Sequence, residues 1–483
     1  MAIRDSRLGR LRSRRVPAWW SDAKLGVFVH WTMAAVPAYA PVGDYMGGLI
    51  GSHRRDAFAW SPYTEWYENS IRFADSPAGL HHRAVYGDEP YSAFRGPFER
   101  AISRWDPSSW AATYAATGAR YVVLVAKHHD GYCLWPTDVA NPHRPGWCSR
   151  RDVVGELADA VRGAGMRFGL YYSGGLDWSF DDRPLGSLAD MVAGVPRGDY
   201  PRYAAAQVRE LIDRYRPSVL WNDIMWPTTG GRLWPLLEHY YATVPDGVVN
   251  DRWMPWNPLF AATRSSLVRR AVDAGVSRLT APDGGIVPPR PPHFDVRTPE
   301  YVVFDDVQTT PWECVRGMDH SFGHNAESTP EDFIGREDML WLLADIVAKG
   351  GNLLINVGPD GIDGGIPDQQ KERLEWLGEW VEPNHRALMG TRPWVRPGAT
   401  TVDGRPVRYT SREDNVYAFV SGGPGTAVLG EVQPTPSTTV TTVDGREAEW
   451  SDGPDGLSIV LPRDAGAGVP SVVVLGRVDA RAE

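Results

Sequence analysis

Apolar, β-branched runs and amphipathic helical patterns follow one another in turn through the first four-fifths of the chain. The runs KLGVFVHW (24–31), ARYVVLVAKHHDG (119–131), MRFGLYYSG (166–174), PSVLWNDI (217–224), GVVNDRW (247–253) and GNLLINVG (351–358) read as strands. Segments 106–119, 151–165, 203–215, 234–244, 337–350 and 369–381 carry helical spacing, some opened by cap-type residues and closed by Gly. Repeated β-then-α order predicts a parallel α/β architecture. No GxGxxG or GxxxxGK(S/T) loop follows any strand, which disfavours a nucleotide-binding open sheet. A (β/α)8-like TIM barrel with irregular or missing helices is the expected fold.

The pattern changes near Gly390, Pro393 and Pro397. Beyond them, Asp-Gly pairs at 403, 444, 452 and 455 punctuate the short runs VRYTS, NVYAFV, TAVLGEV, TVTTV, LSIVLP and SVVVLG. Asp-Gly is a hairpin-turn signal, so a small all-β sandwich is expected there. The expected division is a flexible basic N-terminal tail (1–16), a catalytic barrel (17–392) and a C-terminal β-sandwich (393–483).

A net charge of −10 over 483 residues argues against nucleic acid or an anionic membrane as the main partner. No apolar run reaches the length of a membrane span. The first residues, MAIRDSRLGRLRSRR, are Arg-rich but lack the apolar stretch of a secretory signal, so a cytoplasmic protein is expected. Three cysteines, Cys133, Cys148 and Cys314, are too few and too scattered for a disulfide framework or a zinc site. No metal and no cofactor is expected.

Barrel enzymes carry their chemistry where the strands end. The strand ends here read His30-Trp31, His128-His129-Asp130, Tyr171-Tyr172, Trp221-Asn222-Asp223 and Asn250-Asp251-Arg252-Trp253, with Glu300-Tyr301 near a further strand start. Of 21 Trp, 20 lie at or before Trp394, and Trp31, Trp66, Trp221, Trp253 and Trp312 fall beside His, Arg or acids. Aromatic faces stack on sugar rings while His, Arg and carboxylates bond hydroxyls, so the collection reads as a sugar pocket. Each residue also has a plainer reading. His30 fits a satisfied core histidine, and Arg252 an ion pair with Asp251 or Asp223. His128 and His129, as strand neighbours, point to opposite faces and rarely share one ion. Asp223 closes a buried-type strand, where a carboxylate is costly unless paired or used. Glu300 and Glu313 supply further carboxylates, and two in one aromatic cleft are the minimum equipment for glycoside hydrolysis.

The stretches WWSDAKLGVFVHW, EWYENSIRF, YVVLVAKHHDGYCLW, RFGLYYSGGLDW, VLWNDIMWP, VVNDRW, FDVRTPEY, WECVRGMDHSFGHN and GGNLLINVGPDGIDGG closely resemble the α-L-fucosidases of glycoside hydrolase family 29. The resemblance implies a retaining, exo-acting α-L-fucosidase working by double displacement on a fucosylated oligosaccharide or glycoconjugate. It implies Asp223 as nucleophile and Glu300 as acid/base, with Glu313 in reserve. It places His30, His128, His129, Trp221 and Arg252 on the fucose hydroxyls. Tyr171 joins them, with Tyr172 as the alternative, because strand alternation turns only one inward. Trp66 and Phe322 become apolar walls near the C5 methyl, and Glu65 a further pocket carboxylate. An α-L-galactosidase on the same barrel and a non-catalytic fucose-binding protein are the alternatives. The chain departs from compact relatives in an insert, 254–292, which could cover the cleft, touch a leaving group, mediate homo-oligomer contacts or be a surface excursion.

Overall fold

The computed structural model describes residues 6–52, 56–276, 284–461 and 468–481. Seven parallel strands form one curled sheet: β1 (Leu25–Val29), β2 (Tyr121–Lys127), β3 (Arg167–Tyr172), β4 (Val219–Asn222), β5 (Val248–Val249), β6 (Trp312–Arg316) and β7 (Gly351–Val357). Their order is β5-β4-β3-β2-β1-β7-β6. The gap between β5 and β6 is spanned by the extended segment 295–301. Asp295 and Val296 donate to the Val249 carbonyl, and parallel bridges join Arg297 to Trp312 and Glu300 to Val315. The barrel therefore closes on irregular backbone at its eighth position, and Glu300 lies in that closure.

β1, β2 and β7 are buried along their whole length, which is why they read as unbroken apolar runs. Alternation still sorts their side chains. Phe28, Tyr121, Val123, Val125, Tyr171, Val219, Trp221, Val315 and Leu354 pack together inside the barrel. Val27, Val29, Val122, Leu124, Phe168 and Leu220 face the helices. Gly26 belongs to the inner set, and a Cβ there would stand 2.4–2.7 Å from the Tyr121 ring, so only Gly leaves room for it. The helices follow their caps: Asp106 accepts from Ser108 N ahead of Pro107–Ala116, and Asp152 from Gly155 N ahead of Val153–Gly163. Val153, Val154, Leu157, Ala158 and Val161 give the second helix one buried stripe.

The chain leaves the helix Asp368–Leu388 and enters antiparallel sheets. β8 (Arg392–Thr400), β9 (Pro406–Arg412), β10 (Asn415–Val420), β12 (Val432–Thr442) and β15 (Ser471–Ala480) form one, in the order β12-β15-β10-β9-β8. β11 (Gly425–Leu429), β13 (Trp450–Gly453) and β14 (Gly456–Leu461) form the other, in the order β11-β14-β13. Val407, Tyr409, Ala418, Leu429, Val440, Leu457, Ile459 and Leu475 fill the space between them. Among the described residues, no helix is long and apolar enough to cross a membrane.

The expected flexible tail is corrected by the structure from Ser6 onward. Arg7–Arg12 is a helix capped by Ser6. Arg7 and Arg10 pair with Glu238, Arg14 lies over Tyr241 and pairs with Asp295, and Leu11 is buried. Arg7 and Arg10 thus find an acid on the helix Gly230–Thr243 and Arg14 one in the closing segment, which composition alone does not reveal.

Lys127 ends β2 with its ammonium 2.7 Å from Asp177, both side chains fully buried. The pair ties β2 to the loop after β3. Removing one partner of such a pair leaves a buried charge uncompensated. Lys127→Met should therefore lower unfolding stability by about 3–5 kcal/mol in chemical denaturation of the barrel transition.

Candidate active site

Continuing the inner faces of the strands by two residues leads into a single cavity. Gly26 and Phe28 lead to His30, Gly169 to Tyr171, Val219 and Trp221 to Asp223, and Val248 and Asn250 to Arg252. The cavity holds about 680 Å3 of empty space, mouth included. It is lined by His30, Glu65, Trp66, His128, His129, Tyr171, Trp221, Asp223, Arg252, Glu300 and Phe322 together with ten further residues.

Arg252 organises the carboxylates. Its Nη1 donates to Asp223 Oδ1 at 3.1 Å and its Nη2 to Glu300 Oε1 at 2.7 Å. The two carboxyls are thus separated by about the width of one guanidinium. Nη2 also donates to the Thr298 carbonyl, and Asp251 accepts from both the N–H and the hydroxyl of Thr298, so the segment bearing Glu300 is anchored to the end of β5. Asp223 accepts further from Tyr171 Oη at 2.7 Å and from the N–H of Ile224 at 2.7 Å. Both carboxylates precede a residue of positive φ, Ile224 at 66° and Tyr301 at 54°. Side-chain-bearing residues, β-branched Ile above all, disfavour that region, so strain is stored directly behind each acid.

Burial raises the pKa of Glu300, the Arg252 cation opposes the rise and the Asp223 anion adds to it. Burial also lifts Glu65 to about 8, with the Gly323 N–H donating to its Oε2 and working in the opposite sense. The three histidines are driven to the neutral form: His30 falls to about 3, and His128 and His129 fall well below their ordinary range, chiefly through burial.

Hydrogen bonds define two of the tautomers. Ser173 spends its proton on the Leu176 carbonyl, so His129 Nδ1 must donate to Ser173 Oγ at 2.6 Å. His129 Nε2 is left as a lone pair 3.8 Å from Asp223 Oδ2, without a partner among the described residues. Asn356 donates to the Phe322 carbonyl, which turns its Oδ1 toward His30 Nδ1 at 2.5 Å and leaves His30 Nε2 as an acceptor. A buried nitrogen without a partner, as at His129 Nε2, is costly and marks a place for a ligand hydroxyl.

Several expectations are corrected. His128 and His129 both line the cavity, their ring centroids 4.1 Å apart. β2 ends at Lys127, so strand alternation does not govern them. Trp31 packs with Phe98, Trp105 and Trp110 outside the barrel, Trp253 packs on Trp226, and Trp312 packs on Phe304, so only Trp66 and Trp221 of the five face the cavity. Tyr172 points outward and donates to Gln207. Glu313 lies below the cavity floor, fully buried, accepting from Tyr121 Oη at 2.8 Å and Trp221 Nε1 at 3.2 Å. That position cannot reach a substrate oxygen in the cavity. Tyr63, whose hydroxyl is 3.5 Å from Glu300 Oε2, is a site residue absent from the sequence-derived set. Its signal was its place three residues before Trp66. Ser173 and Asn356, which set the histidine tautomers, carried no signal at all. Among the described residues, no cluster of His, Cys, Asp and Glu could hold a metal ion.

A carboxylate pair, neutral histidines and aromatic walls at the mouth of a parallel barrel define the site class of a glycoside hydrolase. Comparison with known proteins agrees. The sequence profile of the alpha-L-fucosidase family matches residues 5–386. The alpha-L-fucosidase of Branchiostoma floridae is 31% identical over 448 residues, 89% of this chain and 85% of that protein. The tissue alpha-L-fucosidase of Homo sapiens is 30% identical over 476 residues, 95% of this chain and 88% of that protein. The solved structure of Thermotoga maritima alpha-fucosidase in complex with a mechanism-based inhibitor is 36% identical and superposes with a TM-score of 0.80, over 96% of this chain and 98% of that one. Another alpha-L-fucosidase structure is 37% identical with a TM-score of 0.82, over 97% and 99%. The chain belongs to the alpha-L-fucosidase family and is a glycoside hydrolase.

Glu65 and Glu313 are carboxyls whose pKa is raised to about 8 in the fold. Stability held by a raised carboxyl is full below its unfolded pKa and is lost as pH climbs through the folded one. The thermal unfolding midpoint should therefore fall between about pH 5 and 8.5, and fall less in Glu313→Gln, which stays neutral throughout. A Glu313→Gln midpoint as pH-dependent as the native one would show that the Glu313 carboxyl is not the titrating group.

Proposed function

We propose that the chain hydrolyses terminal α-L-fucosyl residues of oligosaccharides or glycoconjugates, with net retention of anomeric configuration. The observation that carries this reading is the Arg252 guanidinium shared by two carboxyls lining one cavity. Carboxyls held so close match a retaining pair, whose separation is about 5–5.5 Å.

Asp223 attacks the anomeric carbon as the C1–O bond breaks, and Glu300 gives its proton to the departing oxygen. The product is a β-linked fucosyl ester. Water then attacks C1, the ester bond breaks, and Glu300 takes the water proton. The pKa logic supports the change of role. The Asp223 anion raises Glu300 in the resting site. Esterification removes that anion, so Glu300 becomes more acidic and is left as the base while Arg252 stays beside it. His30 Nε2 and His129 Nε2 accept sugar hydroxyls, and Glu65, neutral near pH 7, can donate to one. Trp66, stacked on Phe58 at 4.5 Å, and Phe322, 5.2 Å from His30, wall the space for the C5 methyl. Cys133, Cys148 and Cys314 stand outside any disulfide, which fits a reducing, cytoplasmic setting.

Asp223→Ala should cut turnover by roughly 10^4-fold or more, and added azide should give β-fucosyl azide. Glu300→Ala should lose roughly 10^2–10^4-fold, least for activated aryl leaving groups, and azide should give α-fucosyl azide. Proton NMR of the azides distinguishes the anomers. An inert protein on nitrophenyl fucoside and on a panel of fucosylated oligosaccharides would overturn the reading.

A further inference from the structure

The cavity has two tiers. Its deep lining, His30, Glu65, His128, His129 and Arg252 among the aromatics, is almost wholly buried. Seven of the described lining residues are only partly buried: Asp223, Glu300 and the aliphatics Ile50, Leu188, Met191, Ile224 and Ile286. Among the described residues, every partly exposed lining side chain apart from the two carboxyls is therefore a hydrocarbon or a thioether, with no hydrogen-bonding group of its own.

This collar is built around Glu300. Ile286, from the insert, forms an antiparallel bridge with Glu300 in which each N–H donates to the other's carbonyl at 2.9 Å. Residues exchanging both bonds project their side chains to the same face, so Ile286 stands beside the carboxyl that meets the departing oxygen. Leu188 and Met191 come from the short helix Leu188–Ala193. The insert helix Ser266–Val276 braces it: Asp273 accepts from Ala189 N at 3.0 Å, and Arg269 pairs with Asp190 at 3.2 Å. The insert thus holds three of the five collar residues in place.

We infer that the collar is a leaving-group subsite for apolar aglycones, alkyl or aryl alcohols, in preference to a second sugar. This rests on the fucosidase reading above and names its substrate class. A polyhydroxyl aglycone would lose water from its hydroxyls and find no side-chain partner in the collar, whereas each buried methylene gains.

The test compares kcat/KM for methyl and hexyl α-L-fucoside, whose leaving alcohols differ little in chemistry, and for an α-L-fucosyl galactoside. Hexyl should exceed methyl by about tenfold or more and exceed the fucosyl galactoside. In the double variant Leu188→Asn/Met191→Gln the hexyl-to-methyl ratio should fall to about threefold or less, while Met191→Leu should keep it. Because both substrates are read in the same variant, partial misfolding cancels from the ratio. Equal rates on methyl and hexyl fucoside, or a ratio the double variant leaves unchanged, would overturn the subsite while the fucosidase reading stands. No turnover of any fucoside would overturn both.

Discussion

Arg252 is buried between two carboxyls and spends one terminal nitrogen on each. A guanidinium suits that task because its fork is planar and its charge cannot be lost. Burial would be costly for the cation if either acid were absent, and costly for each acid without the cation. The three groups therefore make one electrostatic unit, and the surrounding structure serves to hold it. β4 delivers Asp223, the end of β5 delivers Arg252, and the irregular closure of the barrel delivers Glu300. Asp251, through Thr298, ties the last two together. The positive φ at Ile224 and Tyr301 is the backbone cost of aiming both acids at one point.

The same burial that makes this unit expensive prepares the rest of the pocket. It keeps three histidines neutral and Glu65 protonated, so the floor offers lone pairs and an O–H donor instead of competing charges. Ser173 and Asn356 then choose which imidazole nitrogen carries the proton. The insert works on the opposite side. Through Ile286 it adds hydrocarbon next to Glu300.

Much of this was legible from residue order. β1, β2, β3, β4 and β7 are largely apolar runs, and the residues at or just past the ends of β1, β3 and β4 are His30, Tyr171 and Asp223 in register. β5 lies within the strand run GVVNDRW, whereas β6 and the closing segment 295–301 were not legible, because their pairing depends on partners far away in sequence. Alternation placed Tyr171 and Tyr172 on opposite faces but misled for His128 and His129, where the strand has already ended. Tryptophan enrichment overstated the pocket, since Trp31, Trp253 and Trp312 serve packing.

The sequence by itself determined the alternation of strand and helix, the inward set along each long strand and the chemical types gathered at the strand ends, because each is a local property with a period of two or 3.6 residues. Only the tertiary structure decided that one arginine joins Asp223 to Glu300, that Glu313 sits beneath the floor and not in the cavity, and that the insert brings Ile286 against the acid. Those are distances between segments tens of residues apart, and they are set by how the barrel closes.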